Sequence, residues 1–264
     1  VSVAKALPMD IVWMRRTSHL LLLLLCAAVA LVGLWMRVRP LFALAGIRVQ
    51  GDVTHNNLAT LRANVLPRLS GNFFTLDLQQ ARQAFEALPW VRQALVQREF
   101  PNRIKVTLTE HQAVAVWGNE DEGRLLNSYG EIFVANLDDS DTLSWPRLSG
   151  PPQQSGLMLQ VWRLLQAELQ GLGTPLQALD LSERGSWRLR LGNEGVIEMG
   201  RGSPAELQAR ARRLMGTLSE VTTRVQRNPG RDLISADLRY ADGYALKLRG
   251  VTTASPHKQQ TAEH

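Results

Sequence analysis

Two stretches and a few scattered side chains of this 264-residue chain offer residue types that could do chemistry. Gly200-Arg201-Gly202-Ser203-Pro204-Ala205 satisfies G-x-G-x-x-A between a strand-like and a helix-like segment, the fingerprint of a dinucleotide site. Such a site needs a second parallel strand about 20 residues on, ending in an acid that holds a ribose. Here a helical pattern runs on instead, through Leu207, Ala211, Leu214, Leu218 and Val221. The same letters also spell a helix start: Ser203 as N-cap, Pro204 in the first helical position, Glu206 reaching back from the third. The capping box accounts for more of the residues, and it is what we expect.

Asp138, Asp139 and Asp141 could suggest a metal, but no glycine-punctuated calcium loop or histidine partner accompanies them. The histidines, His19, His55, His111, His257 and His264, fall at the edge of an apolar segment, in a loop, at a strand end and in the tail. The serines lie in turns and caps. No local nucleophile–base pair is visible, although residues distant in sequence could still converge in space. The single cysteine, Cys26, excludes a disulfide framework or a cysteine metal site within one chain. The expectation is therefore a non-enzymatic protein with no cofactor, metal or catalytic residue.

With chemistry set aside, the patterning of the chain becomes the informative feature. Leu20 to Met36 carries no charge and is bracketed by Arg15-Arg16 and Arg37, which comes close to the length needed to cross a bilayer. A buried core helix would show a polar stripe, and none is present. A cleaved signal peptide has a candidate site at Ala28-Val29-Ala30, but the apolar run continues through Leu31, Val32, Leu34 and Trp35. Lipoprotein processing at Cys26 is disfavoured by the leucine run before it. An uncleaved anchor fits best. Lys5, Arg15 and Arg16 before the span nearly balance Arg37, Arg39 and Arg48 after it, so charge alone leaves the orientation open.

Beyond the anchor, the length allows about two domains of ~100–200 residues. The net charge of +6 is spread along helical and alternating segments and does not form a patch, which favours solvated faces over a nucleic-acid groove. Ile47 to Gly51 reads as a short strand, and Asn57 to Leu66 as a helix ended by Ser70-Gly71-Asn72. Asp77 and Gln80 cap a second helix carrying Leu78, Ala81, Phe85 and Leu88, which Pro89 stops. Trp90–Arg98 and Arg103–Glu110 form a hairpin over Phe100-Pro101-Asn102, with Ile104, Val106 and Leu108 alternating inward. That is β-α-α-β-β, a three-stranded sheet with helices on one face.

The remainder is richer in short strands. A hairpin at Leu125–Val134 turns over Tyr129-Gly130, and a helix is expected from Gly156 to Gly171. Strands are expected at Leu176–Leu181, Trp187–Leu191, Val196–Met199 and Leu233–Tyr240, the last with Ile234, Ala236, Leu238 and Tyr240 on one face. Ala241-Asp242-Gly243 then turns into a final strand with Tyr244, Leu246 and Leu248 on one face and Ala245, Lys247 and Arg249 on the other. The fold class is thus α+β: an N-terminal transmembrane helix, the β-α-α-β-β domain, then a mixed β-domain with antiparallel sheet and packed helices. A terminal strand can leave an open edge of backbone N–H and C=O groups. Lys247 and Arg249 there are either gatekeepers against aggregation or rim charges for an acidic partner.

Gly46-Ile47-Arg48-Val49-Gln50-Gly51, Phe73-Phe74-Thr75-Leu76-Asp77-Leu78 and the run from Leu88-Pro89-Trp90 to Glu110-His111 resemble the POTRA domain of the bacterial FtsQ/DivIB division family. The resemblance continues through Ala115-Val116-Trp117, the hairpin Asn127 to Phe133, Leu148-Ser149-Gly150-Pro151, Ser186-Trp187 and Leu238-Arg239-Tyr240, covering roughly residues 13–250. It implies a cytoplasmic N-terminus at 1–18, a transmembrane helix at 19–36, a linker at 37–45, a POTRA domain at 46–111 and a β-domain at 112–250, and the Thr-, Ser-, Pro-, Gln- and Glu-rich composition of 251–264 reads as a disordered tail. It further implies a single-pass inner-membrane protein of the division septum with both folded domains periplasmic. Such a protein would dock FtsB, itself paired with FtsL, on its last strand, with FtsK, FtsW and FtsI as further partners. Onto this sequence the resemblance carries a partner-binding role for Arg239, Tyr240, Gly243, Tyr244, Leu246, Lys247 and Leu248. A basic position before the Ser-Trp strand is also implicated; here Arg184 is followed by Gly185, where relatives often pair two basic residues. Lys247-Leu248 stands where some relatives place Gly-Trp. A periplasmic POTRA chaperone delivering polypeptides for envelope assembly is the alternative.

Overall fold

The computed structural model describes residues 9–38, 43–51, 54–55, 58–69, 71–119, 123–135, 145–224, 228–240 and 243–251. The acidic cluster at Asp138, Asp139 and Asp141, the turn residues Ala241 and Asp242, and the tail beyond Val251 lie outside them. Two units partition the chain, Val1–Glu110 and His111–His264.

In the first unit, helix α1 (Met9–Val38) contains an apolar stretch, Arg16–Leu34, with mean hydropathy 2.3 and no part of it buried against protein. Its 30 residues extend about 45 Å at ~1.5 Å per residue, ample for a hydrocarbon core of ~30 Å. Strand β1 (Gly46–Gly51) follows, then α2 (Leu58–Val65), α3 (Leu78–Glu86), β2 (Val91–Glu99) and β3 (Arg103–Glu110). The sheet order is β1-β3-β2, with β1 parallel and β2 antiparallel to the central β3. The Asp77 cap is as the letters suggest: its carboxylate accepts the N–H groups of Gln79 (2.8 Å) and Gln80 (3.2 Å). Leu61, Val65, Phe85 and Leu88 from the helical side pack on Ile104, Val106 and Leu108, and all are buried. Alternation along β3 produces this directly, since successive side chains point to opposite faces.

In the second unit the described strands form a nine-stranded sheet, in the order β12-β11-β10-β9-β8-β7-β4-β5-β6. The strands are β4 (Ala113–Trp117), β5 (Arg124–Asn127), β6 (Ile132–Val134), β7 (Arg147–Ser149), β8 (Leu176–Leu181), β9 (Trp187–Leu191), β10 (Val196–Gly200), β11 (Leu233–Asp237) and β12 (Ala245–Leu248). Helices α4 (Ser155–Glu168) and α5 (Pro204–Arg224) pack on one face, and a short α6 (Pro229–Asp232) precedes β11. Trp162 and Leu165 of α4 and Leu207, Ala211 and Leu214 of α5 share one core with Leu148, Leu179, Leu189 and Ile197 of the sheet. Glu168 ties the two helices, accepting from Gln208 (2.5 Å) and from Arg212 (2.7 Å). Cross-strand charge and hydroxyl contacts line the exposed side of the sheet, where Asp180 receives Ser149 and Arg190, and Glu198 receives Arg188.

Two features depart from the sequence expectation. Strand β11 ends at Asp237, three residues short of Tyr240, because the Asp237 carboxylate accepts the backbone N–H of Arg239 at 3.1 Å and turns the chain. Ala236 and Leu238 are buried while Tyr240 is 58% exposed, so Tyr240 does not share their face. Strand β11 also runs parallel to β10, through α5 as the crossover, so a parallel strand does follow the glycine-rich turn.

Candidate functional site

The glycine-rich turn joins β10 to α5, the crossover that leads to the parallel strand β11. Ser203 Oγ lies 3.4 Å from the Glu206 N–H, and the Ser203 N–H donates to the Glu206 carboxylate at 2.7 Å. The capping box is formed. The backbone N–H of Ser203 and then its hydroxyl, at 3.0 Å, donate to the Glu206 carboxylate and hold that carboxyl below its ordinary range. The guanidinium of Arg210, one turn further on, donates to the carbonyls of Met199 (2.7 Å) and Arg201 (2.6 Å). The N-terminus of α5 is thus occupied by its own carboxylate, where a dinucleotide would need room for a pyrophosphate.

The same turn borders a cleft of about 420 Å³ lined by Ser182, Arg184, Ser186, Gly200, Arg201, Arg210 and Arg239. Gly200 has φ of 75°, and a Cβ on it would stand 2.9 Å from Arg239 Cγ, so glycine permits both the turn and the close approach of that arginine. Arg239 is fixed by a two-pronged pairing with Asp237, Nε to Oδ1 at 2.8 Å and Nη2 to Oδ2 at 2.6 Å. Its hydrogen bonds from Arg239 outweigh desolvation and hold the Asp237 carboxyl below the ordinary aspartate range. They and the nearby carboxylate charge raise the Arg239 guanidinium in turn. The lining holds four arginines and no acidic residue, which leaves the cleft cationic, with Asp237 and Glu206 at its border. Sequence reasoning singled out Arg184 and Arg239, which the fold brings to one cleft, but it missed Arg201 and Arg210. The available signal was the Gly-Arg step after a strand, with Arg210 four residues beyond Glu206 on the same helical face.

The strand that leads to Arg239, β11, pairs on its other side with β12, antiparallel, with Ser235 opposite Lys247, Ala236 opposite Leu246 and Asp237 opposite Ala245. The Arg249 N–H donates to Asp232 O at 2.8 Å, which sets the direction of the backbone. By alternation Lys247 and Ala245 also turn their N–H and C=O groups toward β11, and Leu246 and Leu248 turn theirs outward. The Leu248 carbonyl accepts from Val251 at 3.3 Å. Among the described residues no strand covers that outer side, so the N–H and C=O of Leu246 and the N–H of Leu248 form an open edge. The side chains divide otherwise: Leu248 is buried, Leu246 and Tyr244 are half-buried against the core, and Lys247 and Arg249 are exposed. The Tyr244 hydroxyl is hydrogen-bonded to Thr217 of α5, leaving Tyr240 as the aromatic presented to solvent. Gly243 is half-buried at the entry to β12.

Two of the described histidines are held in structural contacts. In the first unit His55 stacks on Trp90 with ring centroids 3.9 Å apart and lies 3.2 Å from the buried Glu110 carboxylate. That carboxylate also accepts the backbone N–H groups of Thr54 and His55, so it fastens a loop. In the second unit His111 stacks on Phe133 and meets Asn127 at 2.9 Å. Among the described residues no group of three or more His, Cys, Asp or Glu is placed to hold a metal.

Comparison with known proteins agrees with this architecture. The family model described as POTRA domain, FtsQ-type matches residues 42–111, and that described as cell division protein FtsQ/DivIB, C-terminal matches residues 115–239. The chain is 35% identical over 257 residues to the cell division protein FtsQ of Thiomonas arsenitoxydans, covering 96% of this chain and 93% of the relative. It is 39% identical over 235 residues to that of Burkholderia pseudomallei (89% and 91%) and 34% identical over 249 residues to that of Bordetella pertussis (88% and 89%).

Proposed function

Because the chain belongs to the FtsQ/DivIB family of cell division proteins, we propose that it is a divisome scaffold that captures an extended segment of FtsB, paired with FtsL, on the outer edge of β12. Members of this family carry a POTRA scaffold and are not known as enzymes. Among the described residues one helix, at the N-terminus, has spanning length, which fits a single-pass membrane protein of cell division. In the proposed arrangement the short N-terminus is cytoplasmic, both folded units are periplasmic, and the protein works at the septum in the inner membrane. FtsK, FtsW and FtsI are proposed as further partners.

One observation carries the docking proposal: the outer side of β12 is unpaired among the described residues, and β11, its partner strand, leads at its end into Arg239 of the arginine-lined cleft. An added strand pairs through the outward groups of Leu246 and Leu248, and backbone pairing of this kind supplies affinity without a particular sequence. Specificity comes from the flanks. Tyr240 offers an exposed ring, Lys247 and Arg249 offer rim charge, and Arg184, Arg201 and Arg239 favour a carboxylate on the incoming chain. Tyr244 and Leu248 act from below, holding the edge strand to the core, and Gly243 lets the chain enter it.

Charge reversal tests this. Lys247→Glu leaves the strand ladder intact and is expected to abolish pulldown of the FtsB–FtsL pair while the thermal unfolding profile is unchanged. Undiminished pulldown would remove the charged rim from the proposal. An N-terminal fluorescent fusion is expected to mark a midcell band in dividing cells, and a uniform cell outline would oppose the division role.

A further inference from the structure

At the opposite end of the first unit from Glu110, two aromatic rings stand in solvent beside the point where the chain enters the POTRA sheet. Strand β1 begins level with the start of β3, with Gly46 opposite Arg103, and the Ala45 N–H donates to Asn102 O at 2.9 Å. The entering chain is therefore stitched to the tip of the β2–β3 hairpin. Phe100 sits on that tip and is 79% exposed. It meets Phe73 edge-on at 6.4 Å, and Phe73 meets Phe74, which is 47% exposed, at 5.2 Å. Arg98 clamps the loop carrying these rings against the sheet, donating to the carbonyls of Phe73 and Leu76 at 2.7 Å each. A single exposed apolar residue on a protein surface is ordinary. Two rings held on one rigid corner, with an arginine clamp behind them, make a shaped feature.

The length of the connection bounds how far that corner can stand from the end of α1. Seven residues, 39–45, join the end of α1 at Val38 to Gly46, a reach of at most about 28 Å when fully extended. The hairpin corner lies beside Gly46, so it is the end of the sheet that this tether keeps within reach of the bilayer, while the Glu110 end lies about 25 Å further along at ~3.3 Å per residue. The charges suit the same surface. Arg103 is exposed at the hairpin, Glu99 is paired with Arg48 at 3.8 Å, and Asp77 is engaged as a helix cap. Aromatic side chains favour the boundary between headgroups and acyl chains, and guanidinium groups favour phosphates just above it.

We infer that the hairpin corner, led by Phe100 and Phe74 with Arg103 beside them, rests in the interfacial layer of the bilayer that α1 spans. The contact would fix the orientation of the POTRA unit on its short tether. The inference depends on α1 being embedded, so the test reports on both separately. The full chain is placed in phosphatidylethanolamine–phosphatidylglycerol nanodiscs with an environment-sensitive fluorophore on one cysteine. The label sits on the native Cys26, or, in a Cys26→Ala background, on Asn102→Cys or Gln93→Cys.

Spin-labelled lipid is expected to quench the Cys26 and Asn102 labels and to leave the Gln93 label, toward the far end of β2, quenched only by aqueous iodide. Adding Phe100→Asp is expected to shift the Asn102 label into water, with contact falling about tenfold or more, as when one phenyl ring is kept out of an apolar medium. Phe100→Trp is expected to retain the contact, and Phe74→Asp to weaken it. An Asn102 label that only iodide quenches, beside a lipid-quenched Cys26, overturns the inference and leaves the anchor standing. A Cys26 label that lipid fails to quench overturns both.

Discussion

Leu246→Pro separates the docking edge from the fold that carries it. The residue's N–H points away from β11, because the inward set is Ala245, Lys247 and Arg249, and the Arg249 N–H is bound to Asp232. A proline in a strand is tolerated where its N–H side faces outward. The internal ladder, Ser235 with Lys247 and Asp237 with Ala245, survives the change. The half-buried leucine side chain shrinks, a loss of about 1 kcal/mol. For a unit of this size that lowers the unfolding midpoint by about 2–4 °C. On the docking side the cost is larger. One hydrogen bond worth about 1 kcal/mol disappears, and the ring stands in the gap of about 4.8 Å that an added strand must occupy. Losing the neighbouring bonds with it brings the penalty to roughly 2–4 kcal/mol, a weakening of about 30-fold to 1,000-fold in Kd. Titrating the purified FtsB–FtsL pair against full-length wild-type and variant protein measures this, with thermal unfolding run alongside. The comparison variant Lys247→Pro strikes the inward ladder and is expected to lower the midpoint further than Leu246→Pro. Wild-type affinity in the Leu246→Pro protein would refute strand addition at this edge.

Other consequences follow from the same geometry. Gly200→Ala places a methyl group 2.9 Å from Arg239 Cγ at a φ of 75°, so a loss of roughly 1–2 kcal/mol in stability and a displaced Arg239 are expected, read by chemical denaturation and by partner affinity. Asp237 is held below the ordinary aspartate value of 3.8 by Arg239, so its contribution to stability is present above that value and is lost as pH falls through the lower folded-state midpoint. Carboxyl carbon NMR is expected to show that midpoint below 3.8, moving back up in Arg239→Ala. Asp77→Ala removes the cap that holds the Gln79 and Gln80 N–H groups and is expected to cost about 1 kcal/mol, measured by denaturation of the full chain.

Much of the site's framework was legible in the letters because it rests on local rules. Ser203 and Glu206 announce a helix start by spacing alone, and Asp77 does the same for α3, since a cap involves only residues within one turn. The alternation of Ile104, Val106 and Leu108 declares a half-buried strand before any partner is known. The family resemblance rested on motifs distributed along both units, and it pointed to the last strand as the place of docking.

What the sequence by itself determined, then, was the inventory: an apolar helix of spanning length, a β-α-α-β-β unit, a capped helix after a glycine turn, and a terminal strand with charges on its exposed side. Only the tertiary structure decided that β11 runs parallel to β10, that it stops at Asp237, and that Arg184, Arg201, Arg210 and Arg239 converge on one cleft. It also decided which backbone groups of β12 face outward, and that Tyr244 is taken up by Thr217 while Tyr240 is not buried. Caps and alternation depend on neighbours in the chain. Strand order, edges and a cleft assembled from residues 184 to 239 depend on which distant segments come to lie side by side, and no local pattern encodes that.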